Sequence, residues 1–312
     1  MSSRVLVLGA AGRLGYAAAE AFRTAGWTVV SQVRPGARKR APPRTEVAEV
    51  DALDHAALAK EARGADVILH ALNPAVTQWR QHALPLAYSA VVAAETAGAT
   101  LIFPGNLYNY GSVLPPVIEE TTPMRPTSHK GRLRVAIEDR LQEAAEERGV
   151  RVIILRAGDY FGGGRGSWFD LVIARDITKL RLTYPGPVDV MHEWAYVPDL
   201  AATLVRLADI RDRFEPFATF GFPGHAVTGR EFTQAIAKVV KNRLQVKRMS
   251  WWLVHALRPV IPLCRELSEI AYLWREPHRI DGDKLTAAIG DVPHTPLDAA
   301  VTRAIQDLAV NA

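Results

Sequence analysis

The chain has 312 residues, 48% of them apolar and 23% charged, with a formal net charge of +5 and one cysteine, Cys264. That length and composition can bury a full core in two lobes and exclude both a disordered chain and a disulfide-framed fold. The modest charge, with no stripe of lysines interleaved with aromatics, carries no nucleic-acid footprint and suits a small anionic molecule better.

Taken in chain order, residues 4–9 (RVLVLG) form a continuous apolar run, as expected of a strand buried on both faces. Residues 13–25 carry a helical pattern closed by Gly26, and WTVVSQV is a second strand. TEVAEVD is a short third strand, and HAALAKEARG is a helix ending in Gly64. ADVILHAL is the fourth strand, 78–97 a long helix, ATLIFPG the fifth strand, 129–148 a helix and VRVIILR the sixth strand. This alternation predicts an α/β, Rossmann-like, doubly wound parallel sheet over residues 1–160.

Beyond Arg156 the regularity decays, and Gly162–Gly164, Pro185-Gly-Pro187 and Pro223-Gly224 punctuate shorter elements. Residues 161–312 are expected to be mainly a smaller C-terminal substrate lobe. Within it, HEWAYV and a helix over 198–209 return to the first lobe, so that 190–210 belongs there. The last helix has Thr295 as its cap, Pro296 in its first turn and apolar residues through Leu308.

The N-terminal apolar run is short and flows into a glycine turn, which reads as a strand and not as a signal sequence. No apolar stretch is long enough to span a bilayer, so a cytoplasmic chain without a membrane partner is expected. The aromatic-rich segment SWWLVHALRPVIPLCRELSEIAYLW (250–274) suits either a membrane surface or the apolar wall of a pocket, and the wall is the preferred reading. The nine histidines are scattered, and no metal site is expected.

GAAGRLG sets Gly9, Gly12 and Gly15 three residues apart between a strand and its helix, with Ala11, Arg13 and Leu14 between them. A dinucleotide needs a tight turn there, close approach of backbone to pyrophosphate, and a helix N-terminus with free N–H groups. An acid ending the second strand would accept a ribose 2′-hydroxyl and favour NAD. This chain has Gln32-Val33-Arg34 instead, then Arg38, Lys39 and Arg40. Guanidinium groups suit a 2′-phosphate, so NADP is expected in preference to NAD.

GAAGRLG, EVDALD, GADVILHAL, NLYNYG, KGRLRVAIE, LRAGDYFGGG and WAYVPDLA follow one another as they do in the short-chain dehydrogenases/reductases. Over about two-thirds of its length the chain resembles their extended and atypical branch, the NAD-dependent epimerase/dehydratase family. The resemblance implies that Asp51 meets the adenine amino group and that the backbone of Ala71 and Leu72 lines the riboses. It also implies hydride exchange at a carbonyl or secondary alcohol of a small substrate, a sugar nucleotide or another anion. A homodimer through the helices near 78–97 and 129–148 is implied as well.

Members of that branch use a Ser or Thr, then a Tyr, then a Lys one helical turn on. Here Asn106 stands in the hydroxyl's place, Lys130 in the tyrosine's and Arg134 in the lysine's. Residues four apart on a helix share a face, so both cations are expected to meet one ligand, cofactor or anionic substrate. Arg134 cannot exchange a proton but can hold ribose oxygens and act as an electrostatic partner. Lys130 starts near a pKa of about 10.4, and crowded positive charge would bring it down by roughly two to three units, making it a proton donor. Asn106 would polarise the substrate oxygen with its amide. Other acids at hand are Tyr108, Tyr110, Asp159, Tyr160, His192 and Glu193. Without the Tyr–Lys pair, the alternative is a non-catalytic NADP(H)-binding sensor or partner-binding protein.

Overall fold

The computed structural model describes residues 2–310. Its strands, in chain order, are β1 (Arg4–Leu8), β2 (Thr28–Val33), β3 (Glu46–Glu49), β4 (Val67–His70), β5 (Thr100–Gly105), β6 (Val117–Ile118), β7 (Val152–Arg156), β8 (Asp159–Phe161), β9 (Arg181–Tyr184), β10 (Met191–Tyr196), β11 (Phe217–Gly221), β12 (His225–Thr228), β13 (Gln245–Arg248) and β14 (Arg279–Ile280). The helices are α1 (Arg13–Thr24), α2 (His55–Ala62), α3 (Trp79–Ala97), α4 (His129–Glu147), α5 (Val197–Asp209), α6 (Gly229–Val240), α7 (Trp251–Leu257), α8 (Pro262–Ser268), α9 (Asp283–Ile289) and α10 (Leu297–Val310).

Seven strands make one parallel sheet in the order β11-β7-β5-β4-β1-β2-β3. Alternation of side chains along β1 explains why its apolar run is unbroken. Val5 and Val7 pack with Ala18 and Phe22 of α1 and Leu204 of α5 on one face. Leu6 and Leu8 pack with Ala90 of α3 and Leu141 of α4 on the other. Strand order reverses beside β1, between β2 and β4, and ligands of such sheets enter the crevice at the carboxyl ends there.

The second lobe has its own core, in which Trp194 stacks on Phe232 at 4.6 Å and Trp274 joins Tyr184. A three-stranded sheet, β12-β10-β8, runs through it. In the segment 190–210, α5 packs on α1, while β10 pairs with β8 and β12 and places Ala195 in the core beneath the central sheet. The central sheet is completed by β11, a strand the sequence reading passed over. Just before the last helix, the Thr295 hydroxyl and N–H both donate to Asp199, at 2.7 and 2.6 Å.

The segment 250–274 divides in two. Ile270, Ala271, Leu273 and Trp274 are buried, as a wall should be, while Trp252, Leu253, Val260, Ile261 and Leu263 are exposed. Among the described residues no helix is long and apolar enough to cross a membrane.

Candidate active site

The glycine turn meets the physical needs of a dinucleotide. Gly9 has φ +78°, and its carbonyl accepts the Gly12 N–H at 2.9 Å. A Cβ on Gly15 would lie 2.3 Å from that carbonyl oxygen, so only glycine lets α1 start so close to β1. A Cβ on Gly9 would meet the Ala71 oxygen and the Leu72 Cα at 3.1 Å, which places both residues at the turn. Gln32 accepts from the Gly9 N–H at 2.8 Å and donates to the Val50 carbonyl at 2.7 Å, so it holds the turn against β3. No side chain caps α1 at Gly12, and the first-turn N–H groups around Arg13 and Leu14 face the turn of Ala11 with their positive end free.

Arg13 crosses the crevice, where its guanidinium donates to the Tyr160 carbonyl at 3.2 Å. Burial pulls Arg13 down, opposed by Asp170, Tyr160 and Asp159. At the far end of the groove, Arg34, Arg38, Lys39 and Arg40 are exposed, and none has a carboxylate partner among the described residues. The nearby acid, Glu49, is taken up by the Gly36 N–H at 2.6 Å. Asp51 is exposed, with one oxygen accepting the Leu53 N–H at 2.9 Å and fixing the turn before α2.

Lys130 is set against a carboxylate. Its ammonium is 1% exposed and forms an ion pair with Glu266 of α8, and its backbone N–H donates to Glu269 at 3.2 Å. Burial pushes the Glu266 carboxyl up, but the Lys130 contact, helped by Arg80 and Arg265, outweighs it and holds the group below its usual range. A buried carboxylate therefore faces the Lys130 ammonium.

Arg134, one turn on, has no such answer. Its guanidinium carbon lies 4.7 Å from the Trp79 ring centroid and 5.3 Å from that of Phe103. Its Nε is buried with no hydrogen-bond acceptor, and no carboxylate pairs with it among the described residues. Burial pulls this group down, opposed by the Tyr160 and Tyr108 phenols and by Glu138, yet a guanidinium stays charged. The same charge, after burial itself, holds buried His70 neutral with a pKa of about 3. His70 ends β4 and Phe103 lies in β5, so Arg134 sits at the carboxyl ends of the strands that flank the crevice.

Glu138 explains why three of the sequence motifs travel together. It accepts from Asn109 at 2.8 Å and from Arg156 at 2.7 Å, while Arg156 also donates to the Tyr110 hydroxyl at 3.2 Å. Tyr110 is thereby a buried strut. Asn106 accepts the Tyr108 N–H at 3.1 Å through Oδ1, which turns the chain after β5 and leaves its amide nitrogen as a spare donor.

Two groups facing this region went unranked in the sequence. The Tyr160 hydroxyl donates to the Gly105 carbonyl at 3.1 Å; burial pushes the phenol up to about 12, with Arg134 and Arg13 pulling it back. Asp159 and His192 form a pair at 3.0 Å, with the imidazole stacked 4.2 Å from the Trp274 ring. Asp159 is the more open member, 14% exposed against 3%, so the carboxyl stands in front and the imidazole behind. Its field reaches Tyr108, Tyr160 and Tyr272, which come from three separate segments and are all pushed up first by burial. A His–Asp pair 33 positions apart leaves no local spacing to find it by.

At the opposite end of the sheet a surface groove of about 510 Å³ is lined by Asp66, Glu95, Arg148, Arg151 and Arg211. It lies at the amino ends of the strands, away from every group above. No cluster of three metal-ligating side chains occurs among the described residues.

A family model for the NAD dependent epimerase/dehydratase family matches residues 5–219. The chain belongs to this family. No curated protein matches it in sequence. Among solved structures, the UDP-glucose 4-epimerase of Thermus thermophilus in complex with NAD is 20% identical, with a TM-score of 0.77 over 99% of this chain and 100% of that one. The Thermotoga maritima UDP-glucose 4-epimerase with UDP-glucose is 14% identical at TM-score 0.78, covering 99% of both chains. The UDP-Glc/GlcNAc 4-epimerase of Campylobacter jejuni is 18% identical at 0.76, over 99% and 100%. These likenesses establish the Rossmann-like fold and the accompanying C-terminal lobe.

Proposed function

We propose that this family member is an NADP-preferring oxidoreductase or epimerase-like enzyme. It would exchange hydride at a carbonyl or secondary alcohol of a small substrate that carries a carboxylate or phosphate. The dinucleotide, when bound, supplies the hydride chemistry, and Gly9, Gly12, Gly15, Ala71 and Leu72 fit it. Support for NADP over NAD comes from the open cations Arg34, Arg38, Lys39 and Arg40, with Gln32 and not an acid near the end of β2. The Thermus epimerase was solved with NAD, so the preference rests on this chain's own residues.

The observation that carries the substrate class is the unpaired guanidinium of Arg134. Its Nε is enclosed without an acceptor, no carboxylate among the described residues answers the charge, and an anionic substrate group would supply the missing partner. A sugar nucleotide, such as the UDP-glucose seen in the Thermotoga epimerase, falls inside this class because its diphosphate is an anion. In this reading the Asn106 amide donates to the reacting oxygen. Asp159, positioned by His192, takes up or returns the proton, and Lys130 holds the helix and not the proton. Pairing of two copies through α3 and α4 is part of the proposal on family grounds alone.

The competing reading, a non-catalytic NADP(H) holder, is favoured by one observation: Lys130 is committed to Glu266. Turnover separates the two. Purified protein mixed with NADP(H) and a panel of keto acids, phosphorylated carbonyls and sugar nucleotides should either oxidise NADPH or, with no net change in cofactor, interconvert epimers of at least one of them, read by absorbance and by NMR. Binding of NADPH with neither oxidation nor epimerisation across the panel leaves the holder.

A further inference from the structure

The first half of the 250–274 segment faces outward. Trp252 is 73% exposed and Val260 79%, and Leu253, Ile261 and Leu263 beside them are exposed as well. They lie on α7, on α8 and in the Pro-bounded turn between them. Single exposed apolar residues are ordinary, but five in twelve positions of one helical hairpin make a patch.

The stretch of chain that carries that patch has charge of one sign. Residues 241–265 contain Lys241, Arg243, Lys247, Arg248, Arg258 and Arg265, and no Asp or Glu. These six cations exceed the +5 of the whole chain, so the remainder of the protein is close to neutral. All six are exposed, and among the described residues only Arg265 has a carboxylate within ion-pair distance, Glu266 at 3.5 Å. Four of them lie in or just before β13, an exposed strand at the edge of a two-stranded sheet.

We infer that this hairpin docks the protein on an anionic phospholipid surface, with Trp252, Leu253, Val260 and Ile261 in the interface and the cations against headgroup phosphates. A tryptophan ring suits the boundary between headgroups and acyl chains, and Lys or Arg stems can lie along apolar surface with their charges among phosphates. Cations next to a short apolar helix supply the two signals that reversible membrane binding needs. A second copy of the chain is a poor occupant, because two such faces would bring like charges together. The docking is independent of the reading of the crevice.

Vesicle co-sedimentation tests this directly. At about 50 mM salt, where surface charges are weakly screened, the protein should sediment with phosphatidylglycerol vesicles and not with phosphatidylcholine vesicles. Binding should fall several-fold at about 300 mM salt. Trp252→Ser with Val260→Ser, and separately Lys247→Glu with Arg248→Glu, should each weaken it at least tenfold while NADPH binding and the far-ultraviolet spectrum stay unchanged. Two independent variants, one apolar and one charged, guard against loss of fold in either. Absence of binding to anionic vesicles, equal binding by wild type and folded variants, or a Trp252-dependent dimer in light scattering would overturn the inference. So would selective retention by polyglutamate beads without vesicle binding, which would indicate an acidic polypeptide partner.

Discussion

Lys130 at the start of α4 and Glu266 in α8 form a buried ion pair between positions 136 residues apart. It joins the C-terminal segment to the helix whose first turn was expected to carry proton chemistry. Arg134, one turn further along the same helix, is half-buried, with its Nε enclosed without an acceptor and no carboxylate pairing with it among the described residues. These two cations, four positions apart and alike in charge, therefore have different surroundings. One is paired within the fold, and the other has no carboxylate partner among the described residues.

Removing one member of the pair should expose that difference. Lys130→Met or Glu266→Gln alone leaves a buried charge uncompensated and should cost about 3–5 kcal/mol in denaturant unfolding. Lys130→Met with Glu266→Met together should recover most of the loss. NADPH affinity of folded Lys130→Met should stay within about threefold of wild type, because each tenfold is about 1.4 kcal/mol and no cofactor contact is removed. A large loss of affinity with intact stability would restore the lysine to the cofactor site.

Arg134→Met should act in the opposite sense on stability. Replacing an unpaired, half-buried guanidinium whose Nε lacks an acceptor by an apolar side chain of similar length should stabilise the ligand-free protein by about 1 kcal/mol, net of the lost contacts with Trp79 and Phe103. Thermal unfolding without ligand checks this. A lower melting temperature would show that the charge is already satisfied.

Gly15→Ala places a methyl 2.3 Å from the Gly9 carbonyl oxygen, which forces α1 away from β1. Overpacking of this kind should cost about 1–3 kcal/mol, and dinucleotide affinity should fall more than tenfold because the helix N-terminus moves. Calorimetric titration with NADPH at a temperature where the variant is folded measures it.

Arg34→Ala should separate the two dinucleotides. Its guanidinium is exposed at the end of β2, and losing a charge-assisted phosphate contact should weaken NADPH binding about tenfold or more with NADH little changed. Equal effects on both cofactors would remove the basis for an NADP preference.

Glu193 sets a pH dependence. Burial pushes its carboxyl from 4.5 up to about 7, against the Ile280 and Gly224 N–H groups that it accepts at 2.9 and 2.8 Å. An acid whose folded pKa is raised contributes stability below its unfolded pKa, and loses it as pH rises through the folded one. The contribution, up to about 3 kcal/mol, should disappear between pH 4.5 and 7. His225 and His278, depressed by burial from 6.5 to about 4, run the other way and lose their contribution as pH falls through 4. The difference in unfolding free energy between wild type and Glu193→Gln isolates the glutamate. It should shift against wild type as pH rises from 4.5 to 7 and then level off.

The first lobe was legible because its strands and helices differ in hydrophobic period and end at glycines such as Gly26, Gly64 and Gly98. The strand β11 escaped notice because five residues between Pro216 and Pro223 carry no alternation. The glycine turn could be read at single-residue resolution, since a Cβ at Gly15 has nowhere to go. Spacing put Lys130 and Arg134 on one helix but not in their surroundings. Those came from Glu266, Trp79 and Phe103, each on another element. Asp159 and His192 were visible one at a time, and only the pairing of β8 with β10 makes them a unit.

Calorimetric titration of oxalate into NADPH-saturated protein, set beside Arg134→Met, reaches the central claim most directly. Oxalate should bind the wild-type complex and bind the variant at least tenfold more weakly, with NADPH affinity preserved in both. If Arg134→Met binds oxalate as tightly as wild type, or if neither oxalate nor inorganic phosphate binds the wild-type complex at all, Arg134 is not an anion receptor and the substrate class proposed here is wrong.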